Sequence, residues 1–177
     1  MDKIEEILLH LYDCADYGLS YRAKKALGVL DYFDHWKREY DPKEIKNGIR
    51  ELNKQKLIQK RDYNDSVIIS LTEKGKLRAL NINFRNFCSR KEKWDGKWRM
   101  IAFDIPDKCK KGRDAVRYRM KIGGFYELQE SLFLYPYDCW KEIKLLVELF
   151  KLEKYVRLGT LDFIDNEKEI KNYFKIV

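Results

Sequence analysis

The sequence is poor in the residues that mark several large protein classes. It has 3 prolines and 9 glycines among 177 residues, too few for a Pro-rich or Gly-rich linker, and no low-complexity tract occurs. Its only histidines are His10 and His35, and its four cysteines, Cys14, Cys88, Cys109 and Cys139, are scattered with no Cys-x-x-Cys pair. A structural zinc site needs more ligands closer together. Cysteines so placed, without a secretion signal, read as reduced cytosolic thiols and not as a disulfide framework. No apolar run reaches the roughly 20 residues that cross a bilayer. The start, Met1-Asp2-Lys3-Ile4-Glu5-Glu6, lacks the basic opening of a signal peptide. No Gly-rich phosphate loop is present, so nucleotide hydrolysis has no support. The expectation is a cytoplasmic protein, neither membrane-embedded nor secreted.

What is present is material for a core and an excess of positive charge. Hydrophobic residues make up 45% and aromatic residues 14%, too much for a disordered chain. The net charge is +8, and the excess is local: residues 81–124 carry 13 basic and 5 acidic side chains, whereas 1–80 carry 16 and 14 and 125–177 carry 8 and 10. A second basic zone lies between Lys43 and Arg61, with seven cations against Glu44 and Glu51. Two basic zones suit a polyanion partner, but a Lys-rich solvated surface has the same composition. Placement has to separate the two.

Ile4, Ile7, Leu8, Leu11 and Ala15 recur at helical spacing and predict a first amphipathic helix ending near Gly18. Ser20 is placed to cap a second helix with Ala23, Ala26, Leu27 and Leu30 inward, running to about Trp36. Asp41, Pro42 and Glu44 then form a strong helix start with a capping box, followed by Ile45, Ile49 and Leu52 on one face. At about 100° per residue, Lys43, Asn47, Arg50 and Lys54 fall on the opposite face. Arg can bridge guanine's acceptors, Asn can pair with adenine, and Lys neutralises phosphate. Leu57–Arg61 and Ser66–Leu71 read as strands joined by a turn at 62–65. Three helices and a basic hairpin predict a winged helix-turn-helix over residues 1–80, binding double-stranded DNA through Lys43, Lys46, Asn47, Arg50, Lys54, Lys60 and Arg61. Thr72 caps a further helix with an apolar seam of Leu77, Leu80, Phe84 and Phe87, and residues 81–95 read as a linker helix.

From residue 96 the periodicity changes. Trp98–Asp104 reads as a buried strand, Pro106–Lys111 as a basic loop, and Arg113–Ile122 as a helix stopped by Gly123-Gly124. Phe125–Leu128 and Ser131–Tyr135 read as strands, Asp138 as the cap of another helix, Tyr155–Gly159 as a last strand and Asn166–Phe174 as a C-terminal helix. The order β-α-β-β-α-β predicts an α+β chain in which a ferredoxin-like domain, 96–177, follows the winged helix.

Phe103-Asp104-Ile105-Pro106, Arg113-Asp114, Gly124-Phe125-Tyr126, Gln129-x-Ser131-x-Phe133 and Pro136-Tyr137-Asp138-Cys139 resemble the central domain of PaaX-type transcriptional repressors. That domain is similar to the small CRISPR spacer-acquisition protein. The resemblance implies a dimeric DNA-binding regulator in which the ferredoxin-like domain dimerises and an inverted repeat is the operator. Family members usually continue into a further C-terminal helical domain, which this sequence is expected to lack. The spacer-acquisition family places an aspartate where Asp104 stands. Two copies across a dimer would hold Mg²⁺ and polarise a phosphate, the nuclease alternative; otherwise Asp104 caps the strand end or pairs with a base such as Arg113. A third reading is a DNA-binding scaffold for an integrase partner, with Lys108, Lys110, Lys111, Arg113 and Arg117 as a phosphate track. Arg119 points away from that track. Trp94, Trp98, Phe125, Phe133 and Tyr135 read as core and dimer packing and not as a base-stacking platform. Cys109 sits among lysines that would favour its thiolate, as in redox sensors. No residue pattern specifies a small-molecule effector.

Overall fold

The computed structural model describes residues 2–15, 21–24, 41–63, 66–89 and 92–176. They divide into two compact units, Met1–Ile82 and Asn83–Val177.

The first unit runs α1 (Lys3–Ala15), β1 (Tyr21–Lys24), α2 (Pro42–Lys54), β2 (Ile58–Tyr63), β3 (Ser66–Leu71) and the first part of α3 (Glu73–Phe87). The apolar stripe of α1 buries Ile7, Leu8, Leu11 and Tyr12, and that of α2 buries Ile45, Ile49 and Leu52. The two helices approach closely where a Cβ on Gly48 would meet Ile7 Cδ1. Asp41 caps α2 by accepting from Lys43 N at 2.8 Å, while Glu44 lies 3.8 Å from Lys3 Nζ. The far end of α2 closes without glycine. Lys56 takes φ 58°, its N–H reaches Asn53 O, and Leu57 N–H reaches Leu52 O, burying Leu57 beside Leu52.

The expected second helix is corrected at its start. Tyr21–Lys24, including Ala23, is a strand that pairs antiparallel with β3, giving the sheet order β1-β3-β2. Residues 25–40 lie outside the described residues. Helical spacing of a few apolar residues could not reveal a four-residue strand whose role is to cover the open edge of β3. The hairpin turn is shorter than expected, because Asp62 and Tyr63 belong to β2 and Tyr63 pairs with Ser66. Thr72 caps α3 as its sequence suggests, accepting from Gly75 N at 3.1 Å and donating to Lys56 O at 2.8 Å. Helix α3 ends at Phe87, and residues 92–97 carry no helix, so 81–95 is helical only in its first part.

The second unit follows the end of α3 with β4 (Trp98–Phe103), a 3-10 turn at Asp107–Cys109, α4 (Lys110–Ile122), β5 (Tyr126–Gln129), β6 (Leu132–Tyr135), α5 (Trp140–Leu149), β7 (Val156–Leu161) and α6 (Glu167–Phe174). Its sheet is antiparallel with order β5-β6-β4-β7, the second, third, first and fourth strands of the βαββαβ series. This is the ferredoxin-like split βαβ arrangement. Helix α4 starts three residues before the expected Arg113, taking in the end of the basic loop. It ends at Gly123-Gly124, where Gly124 N–H meets Lys121 O and Phe125 N–H meets Met120 O. Gly124 has φ +69° with Cys88 Sγ 2.9 Å from where a Cβ would be, so a side chain is excluded twice over.

Pairing register assigns the faces of this sheet. Tyr126, Leu134, Met100 and Gly159 form one rung, and Trp98 opposite Leu161 the next. On that face Trp98, Leu134 and Ile170 of α6 are fully buried, with Trp94, Phe174 and Ile176 packed round them. Alternate residues on the opposite face, Ile101, Phe103, Phe133 and Val156, are also buried. Phe84, Phe87, Phe125 and Tyr135 form an aromatic cluster with centroids 4.4–6.2 Å apart, and Tyr135 Oη donates to Phe87 O at 2.9 Å. Helix α6 is tied down by Trp98 Nε1 donating to Glu167 at 3.3 Å and Tyr126 Oη donating to Glu169 at 2.6 Å. Among the described residues no helix is long and apolar enough to cross a membrane.

Two stability measurements follow from these contacts. A Cβ at Gly75 would fall against the Leu57 carbonyl oxygen, which already accepts from Thr72 N. Gly75→Ala is therefore expected to destabilise by about 1–3 kcal/mol, read as a lower melting temperature. Arg99 grips Asp95 with bonds of 2.7 and 2.8 Å, and this holds the Asp95 carboxyl below its ordinary range. A carboxyl lowered on folding stabilises above its unfolded pKa, and that stabilisation is lost as pH falls through the folded value. Asp95→Asn is expected to flatten the acid limb of melting temperature against pH.

Candidate nucleic-acid interface

The apolar stripe of α2 is consumed by the core of the first unit, so the opposite face is left to solvent. Lys43, Lys46, Asn47, Arg50 and Lys54 are all exposed there, and Lys60 and Arg61 are exposed on β2. None of these seven side chains makes a hydrogen bond or ion pair with a described residue. The helix is about 20 Å long at 1.5 Å per residue, and its bare face meets the dimensions of a major groove about 12 Å wide. Among the described residues no carboxylate pairs with these cations, although the sequence holds 29 acidic residues.

The basic zone of the second unit has a different fate. Arg113 donates to Asp107 at 2.8 Å and to Ile105 O at 3.2 Å. Arg117 lies between Glu127 at 3.4 Å and Glu130 at 3.2 Å, with Lys121 3.7 Å from Glu127. Arg119 is buried, donates to Ala115 O at 3.0 Å and lies over the Phe150 ring. Burial pulls its guanidinium pKa down. Of the five residues expected to track phosphates, Lys108, Lys110 and Lys111 remain exposed and without a described partner. The acidic partners of Arg113 and Arg117 lie six to thirteen residues away and meet them only after folding.

Asp104 stands just past β4, its N–H donating to Tyr155 O at 2.9 Å. Its carboxylate is exposed and has no described partner; Arg113 pairs with Asp107 instead. It borders a cavity of about 500 Å³ that also carries Gln129, Ser131, Lys154, Tyr155 and Arg157. Among the described residues no group of three or more His, Cys, Asp or Glu could hold a metal ion. A single carboxylate beside two cations does not fit Mg²⁺, which is held through carboxylates and phosphates, so no step is derived through it on one chain.

Gln129 and Ser131 belong to the Gln129-x-Ser131-x-Phe133 motif without a site role predicted for them, and Lys154 and Arg157 carry no sequence signal of a site. Strand alternation could have placed Arg157 on the face of Ala102; the bulge that re-aims Gln129 has no sequence signature. Trp98, Phe125, Phe133 and Tyr135 are buried and closed to base stacking, and the Trp94 ring lies tilted, 4.7 Å from that of Trp98, under Lys171. Cys109 is half-buried before α4, and Cys88, Cys109 and Cys139 are in no disulfide; the Cys88 thiol donates to Ile122 O at 3.1 Å.

Residues 91–172, just under half of the chain, match the family model of the PaaX protein central Cas2-like domain. The match supports PaaX-family membership and covers the whole βαββαβ series. No curated protein matches the chain.

Since Arg117 is held by two glutamates at the surface, Arg117→Gln is expected to cost about 1 kcal/mol or less in stability. If the chain binds DNA, Arg117→Gln is expected to leave the affinity unchanged, whereas Lys108→Gln/Lys110→Gln/Lys111→Gln tests for a phosphate contact from this unit. Fluorescence anisotropy on a labelled duplex compares the two.

Proposed function

We propose that the chain is a sequence-specific DNA-binding transcriptional regulator of the PaaX type, acting as a dimeric repressor on an inverted repeat. In this reading residues 1–80 are a winged helix-turn-helix, α2 is the recognition helix, and the β2–β3 hairpin is the wing. Residues 96–177 supply the dimer. The observation that carries the proposal is the exposed face of Lys43, Lys46, Asn47, Arg50 and Lys54 beside Lys60 and Arg61, whose side chains have no partner among the described residues. The order α1-β1-α2-β2-β3, with β1 covering the outer edge of β3, supports it. A cationic helix face with an Arg and an Asn in its middle combines phosphate neutralisation with base-edge reading. The scaffold and nuclease readings draw on Lys108, Lys110, Lys111 and Asp104, and the same experiment separates them.

The experiment is a gel shift of the full chain on its own upstream DNA and on a scrambled duplex, with EDTA and with Mn²⁺. The expected result is a discrete shift on the upstream DNA alone, the same in both conditions. Equal smearing on both duplexes supports the scaffold, and loss of full-length DNA only with Mn²⁺ supports the nuclease. Arg50→Ala is expected to cost about 1–3 kcal/mol and relax specificity at one base position, whereas Lys60→Ala is expected to weaken binding to all sequences and lower the salt slope by about one. Unchanged sequence preference in Arg50→Ala overturns α2 as the reader.

A further inference from the structure

The register of the second sheet builds a site at the end away from α6. Gln129, Leu132, Ala102 and Arg157 stand in a single rung across all four strands. Gln129 reaches that rung only because β5 carries an irregularity between Glu127 and Gln129; regular pairing would have set Leu128 opposite Leu132 and turned the amide to the other face. The small Ala102 at the centre leaves a concavity between the amide and the guanidinium. Its rim is pinned by backbone bonds from Phe103 N to Ser131 O and from Asp104 N to Tyr155 O, each 2.9 Å. The cavity, about 500 Å³, lies within the ~300–1,000 Å³ of small-molecule sites.

Charge decides the ligand. Asp104 lines this cavity together with Lys154 and Arg157, yet no ion pair joins the carboxylate to either cation. Arg157 Nη1 is turned back to the carbonyls of Glu153 and Val156, at 3.3 and 3.0 Å. Opposite charges thus line one concave surface without pairing, and the amide of Gln129 and the hydroxyl of Ser131 have no described partner. A phosphate alone would face the carboxylate, and a metal ion alone would face the two cations. A molecule with both charges satisfies each side, and a concave site strengthens both interactions.

We propose that this cavity binds a zwitterionic small molecule, its ammonium on Asp104 and its acidic group on Lys154 and Arg157. Gln129 and Ser131 hydrogen-bond it over the floor of Ala102 and Leu132. The site is independent of the DNA-reading proposal, and either can fail alone.

The test is protein-observed NMR of the full chain titrated with glycine, 4-aminobutyrate and 6-aminohexanoate, whose charges lie progressively further apart. Butylammonium, hexanoate, inorganic phosphate and Mg²⁺ are the single-charge controls. The expected result is a saturating shift, confined to residues round Ala102, with one chain length, at least about ten-fold tighter than any control. Asp104→Asn and Arg157→Gln are each expected to weaken it about ten-fold. Ala102→Leu, which keeps every charge and fills the floor, is expected to abolish it while the remaining spectrum stays that of the folded chain. Binding of a single-charge control as tight as that of the amino acids overturns the proposal, as does the absence of any shift at this rung or full retention of binding in Ala102→Leu.

Discussion

Strand β4 runs down the middle of its sheet between β6 and β7, and its register against them sets what each face of the second unit can be. With Met100 opposite Leu134 and Gly159, the residues Trp98 and Leu161 come together under α6. The intervening residues Ile101 and Phe103 are buried on the other side with Phe133. A slip of one residue would exchange the two faces, exposing Ile101 and Phe103 and driving the Arg99 guanidinium, now bonded to Asp95 and Pro136 O, out of its place. Both faces carry large apolar side chains, so the register is fixed from two directions. The same register sets Ala102 between Leu132 and Arg157, so the cavity beside Asp104 is a consequence of how the core is paired.

The two basic zones show how much composition leaves open. By composition each is as consistent with a solvated surface as with a polyanion partner, since each has a large excess of Lys and Arg. In the first unit the core uses one face of α2, and among the described residues no carboxylate pairs with Lys43, Lys46, Arg50 or Lys54 on the other. In the second unit Asp107, Glu127 and Glu130 fold onto Arg113 and Arg117, and Arg119 goes into the interior. Cations that are already paired lose much of their capacity to release counterions from DNA. Among the described residues of the two zones, the exposed cations of α2 and β2 form one unpaired surface and Lys108, Lys110 and Lys111 a smaller one.

Local signals were read well where they rest on a local mechanism. Asp41-Pro42 starts α2, Thr72 starts α3, and Gly123-Gly124 ends α4, because each works through bonds a few residues apart. The βαββαβ series was legible because buried strands alternate with amphipathic helices longer than themselves. The failure at Tyr21–Lys24 has the opposite cause. Four residues hold too little periodicity to declare themselves, and they are a strand only because β3 offers them an edge.

For this chain, then, the sequence by itself determined the element order over most of the described length, the caps, the apolar stripes and the location of the charge. All are properties of neighbours within about one helical turn. Only the tertiary structure decided which cations are spent on carboxylates and which stay free, that Asp104 shares a cavity with Lys154 and Arg157, and that Gln129 faces into it. Those outcomes depend on strand register and on a single extra residue in β5, where one step along the chain turns a side chain from one face of the sheet to the other.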